Sequence, residues 1–399
     1  MSKNKKILMV MPVMKGGGAE RVASLLLNEF HKNGYDCEFL LTSSTKEESV
    51  IRDLNCEIPI TSLSHNSGKL QKLLYSILRI LSSIFCKPFE LFSIPVPSLF
   101  AYISFVSHYY SEINELKTKL KQEPESTIIS FLQPSVPITL IAAKNLPNRV
   151  IISERGNPKR LLKKRYGYNF IKKYYQRADA VVFQTPNALN AYPENISEKG
   201  TVIFNPINNN LPESYFGERE KFVTTFCRIS PEKNLIMLAD AFAEFYKENK
   251  DYRLKIIGDA VNDSDKKTLI QLKDRIHSLG ISDVTDILPF SPNVHPLVLH
   301  DAMYVNSSDY EGMSNAMLEA MAIGMPVICT DCPIGGASAV IDNGENGILT
   351  EVGNAKELAD AMKKIASDKD FSDKLSRNAA QIREKLSLEN TAKKWMELL

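Results

Sequence analysis

The sequence is poor in cysteine. Six residues in 399, at positions 37, 56, 86, 227, 329 and 332, are too few for a disulfide scaffold and suit a reducing compartment. Cys329 and Cys332 form a CxxC pair, yet no second CxxC and no HxxxH supplies the further ligands of a zinc site. A redox-active pair should open a helix after a strand. Pro333 and Gly335-Gly336 follow instead, so the pair reads as structural. Also missing is an uninterrupted apolar run of the roughly 20 residues that a membrane-spanning helix needs. The most apolar stretch, residues 91–107, holds 17 residues without a charge, but Pro95 and Pro97 interrupt it. There is no GxxxxGK[ST], which leaves a P-loop nucleotidase without support. Hydrophobic residues at 44% and charged residues at 24% exclude a disordered chain and a collagen-like fibre. The length of 399 residues suggests two or three domains.

The basic residues 3–6 and the apolar residues 7–14 imitate a short signal peptide. No small-residue cleavage site follows, so a first β-strand of a cytoplasmic protein is the better reading. The sequons at Asn195 and Asn306 then carry no glycosylation meaning.

The near-neutral total, 49 basic against 47 acidic residues, conceals a segregation. Residues 1–200 carry 27 Lys and Arg against 17 Asp and Glu, a net of +10, and the remainder carries −8. An asymmetry of this size suggests that one half faces something anionic. Most of it is concentrated in residues 155–177, with nine basic residues and no acidic one. These alternate with Leu161, Leu162, Tyr166, Phe170, Ile171, Tyr174 and Tyr175, as on a helix with an apolar and a basic face. One reading is a core-packed helix with a solvated basic side. The other is a patch for an anionic membrane surface or a pyrophosphate, with Lys163, Lys164, Lys172 and Lys173 among its charges.

Short apolar runs alternate with amphipathic segments along the whole chain. Strands are expected at residues 6–13, 37–41, 127–132, 150–153, 180–184 and 201–204, with a helix over 18–32. The pattern restarts near residue 221. Strands are expected at 222–226, 254–257, 284–288, 303–305 and 327–329, and helices at 234–248, 264–278, 314–323 and 355–367. This alternation implies parallel sheets covered on both faces. The expected class is α/β, with two Rossmann-like, doubly wound domains facing a cleft. The first spans residues 1–204 and the second 221–370, joined by an Asn-, Pro- and Glu-rich linker at 205–220. Helices in 371–399 are placed to cross back to the first domain.

Ligands of such sheets bind beyond the carboxyl ends of the strands, and four motifs fall there. Gly16-Gly17-Gly18-Ala19-Glu20-Arg21 lies between the first strand and first helix, where glycine lets backbone N–H groups approach an anion. It is not the dinucleotide fingerprint, because position 21 is Arg rather than Gly. Arg228 and Lys233 flank a Pro-containing turn after the first strand of the second domain, a fork and a point charge suited to a diphosphate. Gly312, Met313, Ser314 and Asn315 should open a helix, another seat for an anion, with Glu311 before it and Glu319 within it. Asp263-Ser264-Asp265 resembles a metal-binding DxD, but it stands where a helix should start and reads as a cap.

Gly17-Gly18-x-Glu20-Arg21, Arg228-x4-Lys233-Asn234 and Glu311-x7-Glu319 occur in this order. With them the chain resembles the retaining glycosyltransferase family 4, which has the two-Rossmann GT-B fold, over roughly residues 6–395. Ser153-Glu154-Arg155, Asn205-Pro206 and Asp331-Cys332-Pro333-x-Gly335-Gly336 are similar to the branch that builds bacterial capsule, O-antigen and exopolysaccharide repeats. The resemblance implies that Glu319 holds the ribose hydroxyls of a nucleoside diphosphate sugar. It implies that Arg228 and Lys233 bind the diphosphate, and that Glu311 and the backbone of 312–315 hold the donor hexose. Gly17 and Gly18 would approach the donor from the other domain, and Phe290 joins the donor side. Glu20, Glu154, Arg155 and Asn205 are assigned to the acceptor side. Many members carry a His where this chain has Ser153-Glu154-Arg155, so the acceptor-side group is open.

The implied function is retaining transfer of a hexose or N-acetylhexosamine from a UDP-sugar to a polyprenyl-diphosphate-linked saccharide. It would occur at the inner face of the cell membrane, through peripheral contact, with no nucleic-acid partner. No cofactor or metal is expected if the cations and the helix N-terminus neutralise the diphosphate. The rivals are a nucleotide-sugar epimerase on the same fold and a non-catalytic sugar-binding scaffold. A nicotinamide-dependent oxidoreductase is disfavoured by the missing third glycine.

Overall fold

Thirteen strands in two parallel sheets account for the alternating pattern. They are seen in a computed structural model that describes residues 5–13, 17–43, 53–63, 76–78, 80–81, 83–84, 87, 98–155 and 174–399. The first sheet holds β1 (Lys6–Met11), β2 (Asp36–Leu41), β3 (Ile60–Ser62), β4 (Thr127–Phe131), β5 (Arg149–Glu154), β6 (Ala180–Phe183) and β7 (Gly200–Val202). Their order is β3-β2-β1-β4-β5-β6-β7. The second holds β8 (Glu220–Phe226), β9 (Arg253–Ile257), β10 (Thr285–Leu288), β11 (Asp301–Asn306), β12 (Val327–Thr330) and β13 (Ile348–Thr350). Their order is β10-β9-β8-β11-β12-β13. A central parallel strand is covered on both faces and needs no polar alternation. Accordingly Ile7, Leu8, Met9, Val10 and Met11 are all fully buried. β3 and β13 were not expected from the sequence. Each is a three-residue edge strand ending in Ser or Thr, without the apolar run Val202–Phe204 that announced the equally short β7.

The chain divides into two compact units, residues 1–204 with 391–399 and residues 205–390. The core of the first contains Phe30, Phe39, Phe131 and Trp395. Trp395 is fully buried, with its ring centroid 5.6 Å from that of Phe131. The core of the second contains Phe242, Phe245, Leu254, Met303 and Ile328. Residues 205–220, expected as a linker, lie within the second unit. Tyr215 N–H donates to the Ile323 carbonyl at 3.0 Å. The Arg219 guanidinium donates to the carbonyls of Tyr215, Gly324, Leu299 and Asp301. Five N–H donors in one planar group let a single side chain satisfy a whole loop. The Asn- and Pro-rich composition therefore marks a strap over the unit rather than a free joint.

Of the apolar stretch 91–107, the helix Ser98–His108 buries Ala101 and Phe105. No helix among the described residues is long and apolar enough to cross a membrane. In each sheet the strand order reverses once. The chain runs outward from β1 and returns at β4, then outward from β8 and returns at β11. The carboxyl ends of β1/β4 and β8/β11 are thus the crevices where such sheets bind ligands.

Candidate functional site

The β8/β11 crevice is built by two loops tied together. After β8, Pro231–Lys233 forms one 3₁₀ turn, started by a proline whose fixed φ suits that position. Asn234 then sits at φ 43, a left-handed conformation that Asn tolerates better than most residues. Its Oδ1 accepts from Met237 N–H at 3.2 Å and so caps the helix Leu235–Tyr246. Its Nδ2 donates to Asp309 Oδ1 at 2.7 Å, in the loop after β11. Ser307 Oγ donates to the Lys233 carbonyl and Asp309 N–H to the Glu232 carbonyl, both at 2.9 Å. With the loops so joined, Lys233 Nζ donates to Glu311 Oε1. The two side chains are 17% and 20% exposed. Burial draws the Lys233 ammonium down, but the Glu311 carboxylate outweighs it and holds the pKa above its ordinary value. Arg228, half exposed, is shared by the carboxylates of Glu232 and Asp265, the latter 3.7 Å from its Nε. Asp265 belongs to the DxD-like run. Asn262 caps that helix by accepting from Asp265 N–H at 3.0 Å, and Asp265 in turn accepts from Val261 N–H at 3.2 Å.

The next strand completes the crevice. Ser314 caps the helix Asn315–Ala322 by accepting from Met317 N–H at 3.3 Å. Asn205 braces this start from below: Nδ2 donates to the Met313 carbonyl at 3.2 Å and to Asn315 Oδ1 at 2.7 Å. Its backbone N–H donates to the Met313 sulfur at 3.3 Å. Asn205, assigned to the acceptor side, is buried in the second unit and shapes the 312–315 loop. Met313 is itself buried, so the loop offers backbone rather than that side chain. After β12, Gly336 passes so close to Gly312 that a Cβ would lie 1.6 Å from its carbonyl oxygen. Thr330 Oγ1 and Cys332 Sγ both donate to the Ser308 carbonyl, at 2.6 and 3.2 Å. Burial pushes the Cys332 thiol up to about 11 and Cys329 higher still, so the CxxC is a packing element.

Glu319 is buried in the helix Asn315–Ala322, with Oε2 2.9 Å from His295 Nε2. His295 was not singled out in the sequence. A lone His in a short turn has no spacing signature, and only the fold brings it to a residue 24 positions away. Phe290 is partly exposed beyond β10, its N–H donating to Asp259 Oδ1 at 3.1 Å.

The remaining candidates belong to the first unit. Gly17 is the N-cap of the helix Gly18–Lys32, and its N–H donates to the Glu20 carboxylate. Glu20, assigned to the acceptor side, thus accepts from the N–H that opens its own helix. Glu154, at the end of β5, is 6% exposed, and both carboxylate oxygens accept from tyrosines. Tyr175 donates to Oε1 at 2.5 Å and Tyr192 to Oε2 at 2.7 Å. Burial raises its pKa while the two hydroxyls pull it down. Glu154, assigned to the acceptor side, thus braces Tyr175 and Tyr192. Arg155 lies with its guanidinium carbon 4.1 Å from the Phe131 ring centroid, and Nε donates to Ser153 Oγ at 3.1 Å. Lys163, Lys164, Lys172 and Lys173 lie outside the described residues.

Residues 207–382 match the family of glycosyl transferases group 1. The chain is 22% identical to an uncharacterized glycosyltransferase of Haemophilus influenzae, over 99% of this chain and 100% of that one. A Campylobacter jejuni N-acetylgalactosamine-N,N'-diacetylbacillosaminyl-diphospho-undecaprenol 4-alpha-N-acetylgalactosaminyltransferase is 25% identical over 59% of this chain and 65% of that protein. Among solved structures, Anabaena HepE in complex with UDP and glucose has a TM-score of 0.74 at 18% identity, over 99% of both chains. Sucrose-phosphate synthase of Thermosynechococcus elongatus has 0.77 at 15%, over 99% of this chain and 98% of that one. These two structures share the fold of two Rossmann-like units.

Proposed function

We propose that this chain, whose residues 207–382 match the glycosyl transferases group 1, is a glycosyltransferase that moves a hexose or N-acetylhexosamine from a UDP-sugar to a polyprenyl-diphosphate-linked saccharide. The transfer keeps the anomeric configuration and serves bacterial surface polysaccharide synthesis. The observation that carries this reading is the Lys233–Glu311 pair at the β8/β11 crevice, beside the start of the helix Asn315–Ala322. The UDP and glucose named for HepE and the diphospho-undecaprenol acceptor named for the Campylobacter relative support it.

As the bond from the anomeric carbon to the diphosphate breaks, negative charge develops on the leaving oxygen. Arg228, Lys233 and the helix N-terminus at 312–315 stabilise that charge. The acceptor hydroxyl bonds to the same face of the sugar, and its proton passes to the departing diphosphate. Glu311 accepts from hexose hydroxyls and Glu319 from the ribose. Without donor, Lys233 and Glu311 neutralise each other; the diphosphate then becomes the partner of Lys233. The step proceeds without a divalent cation, so chelation with EDTA leaves the rate unchanged. A helical segment of the first unit exposes Ile77, Ile80, Leu81 and Ile84, spaced along one face. That face supports peripheral attachment to the inner leaflet, where such an acceptor sits.

A panel of UDP- and GDP-sugars with lipid-linked acceptors, read by mass spectrometry, tests this. Release of UDP with a sugar-extended acceptor is expected. Interconversion of the sugars identifies an epimerase, and neither binding nor release a scaffold. Lys233→Ala and Glu311→Ala should each lower kcat by about 10²–10³-fold with the melting transition retained. Near-normal turnover in either refutes the site. Changing Lys163, Lys164, Lys172 and Lys173 to Glu should release the protein from anionic liposomes, and unchanged binding refutes the attachment.

A further inference from the structure

The carboxylate of Glu319 has a partner that the site chemistry above does not use. His295 is 4% exposed and Glu319 7%, and Nε2 of the ring stands 2.9 Å from Oε2 of the carboxylate. The ring is held by a buried backbone and by one aromatic neighbour. His295 opens the short helix His295–Val298, in which Pro296 restricts the backbone and Val298 is fully buried. Phe226 meets the imidazole edge-on, with centroids 5.9 Å apart and planes at 85°. Phe226 in turn packs on Tyr304, with centroids 4.9 Å apart. Phe226 is the last residue of β8, the strand that leads into Arg228 and Lys233. The imidazole thus connects the base of the diphosphate loop to the helix carrying Glu319.

Glutamate has a long side chain with several rotamers, and burial alone does not choose among them. A hydrogen bond to an ionised group is short and strong, and a carboxyl group is planar. When His295 Nε2–H donates to one oxygen, the direction of the other is fixed as well. A site rejects an analogue lacking a hydroxyl only when its own acceptor cannot swing away to another partner.

Resting on the reading of Glu319 as the ribose ligand, we propose that His295 is a positioning residue that fixes this carboxylate. In doing so it sets the preference of the site for ribonucleotides over deoxyribonucleotides. His295 itself touches no substrate and acts through Glu319.

Calorimetric titration with UDP and with 2′-deoxy-UDP tests this on the wild type and on Glu319→Ala, His295→Phe and His295→Gln. The wild type should bind UDP more tightly, and Glu319→Ala should abolish that preference. His295→Phe should reduce the preference by about tenfold, the value of one hydrogen bond to a charged group. It should raise the donor KM more than it lowers kcat. His295→Gln, whose amide N–H can reach the carboxylate, should restore most of the ratio. Because each ratio is taken within one variant, partial unfolding cancels. A wild-type ratio in His295→Phe, with the preference lost in Glu319→Ala, overturns the inference and leaves the site reading intact. A preference retained in Glu319→Ala, or absent from the wild type, overturns the ribose assignment and this inference with it.

Discussion

Glu154 and Glu311 are both carboxylates at the carboxyl end of a strand or just beyond it, yet their surroundings give them opposite tasks. Glu311 pairs with the Lys233 ammonium, the partner that the diphosphate would take in the proposed reaction. Glu154 has two tyrosine hydroxyls, one on each oxygen, in a buried site. Its folded pKa is raised above the unfolded value, with burial as the leading cause. Its contribution to stability is therefore present below the ordinary carboxylate range and is lost as pH rises through the folded pKa. Glu154→Gln keeps the shape and removes the charge, with the Tyr192 hydroxyl turning to accept from the new amide N–H. Its melting temperature should exceed that of the wild type by a few degrees at pH 8, where ~2–4 °C corresponds to about 1 kcal/mol. The two curves should converge near pH 4. A wild type that is the more stable at pH 8 contradicts this. Glu20 shows the same contrast with its motif: it accepts from the Gly17 N–H at its own helix start, although its place beside the glycines suggested a ligand.

At the scale of elements, the loop after β8 depends on one unusual residue. Asn234 combines a left-handed backbone, a helix cap and a bond to the neighbouring loop. Asn234→Ala loses all three and should lower stability by about 2–3 kcal/mol, from the left-handed penalty and the lost cap. Asn234→Gly keeps the backbone easy and should recover about 1–2 kcal/mol of that. Denaturant midpoints decide, and equal losses in the two variants remove the backbone from the account. The loop after β12 is a second such case. In Gly336→Ala a methyl group would collide with the Gly312 carbonyl, so the 312–315 loop must move. Weaker binding of UDP, at a nearly unchanged far-UV circular dichroism spectrum, is expected. The motif spacing made both loops legible, because a Pro-started turn, an Asn cap and a Ser cap stand at fixed offsets from their helices. The edge strands β3 and β13 were not legible, because each is three residues long and lacks the apolar run that announced β7.

At the scale of the molecule, residues 391–399 belong with the first unit although they follow the whole of the second. Trp395 fills that core against Phe131, and Arg149 Nε donates to the Leu398 carbonyl at 2.6 Å. Trp395→Ala should lower the stability of the first unit by about 3–5 kcal/mol through the cavity it leaves, while Trp395→Phe loses less. A small shift in Trp395→Ala would show that the tail is not part of the core. The sequence by itself determined the α/β class, the two successive sheets, and the order of Arg228, Lys233, Glu311 and Glu319. These are local properties: strand and helix periods, and loops whose glycines and caps stand at fixed offsets. Only the tertiary structure decided which carboxylates are already occupied, that residues 205–220 strap the second unit, and that His295 stands against Glu319. Those depend on which strands become neighbours. Strand order in a parallel sheet is set by crossover packing of distant segments, which no short window of sequence contains.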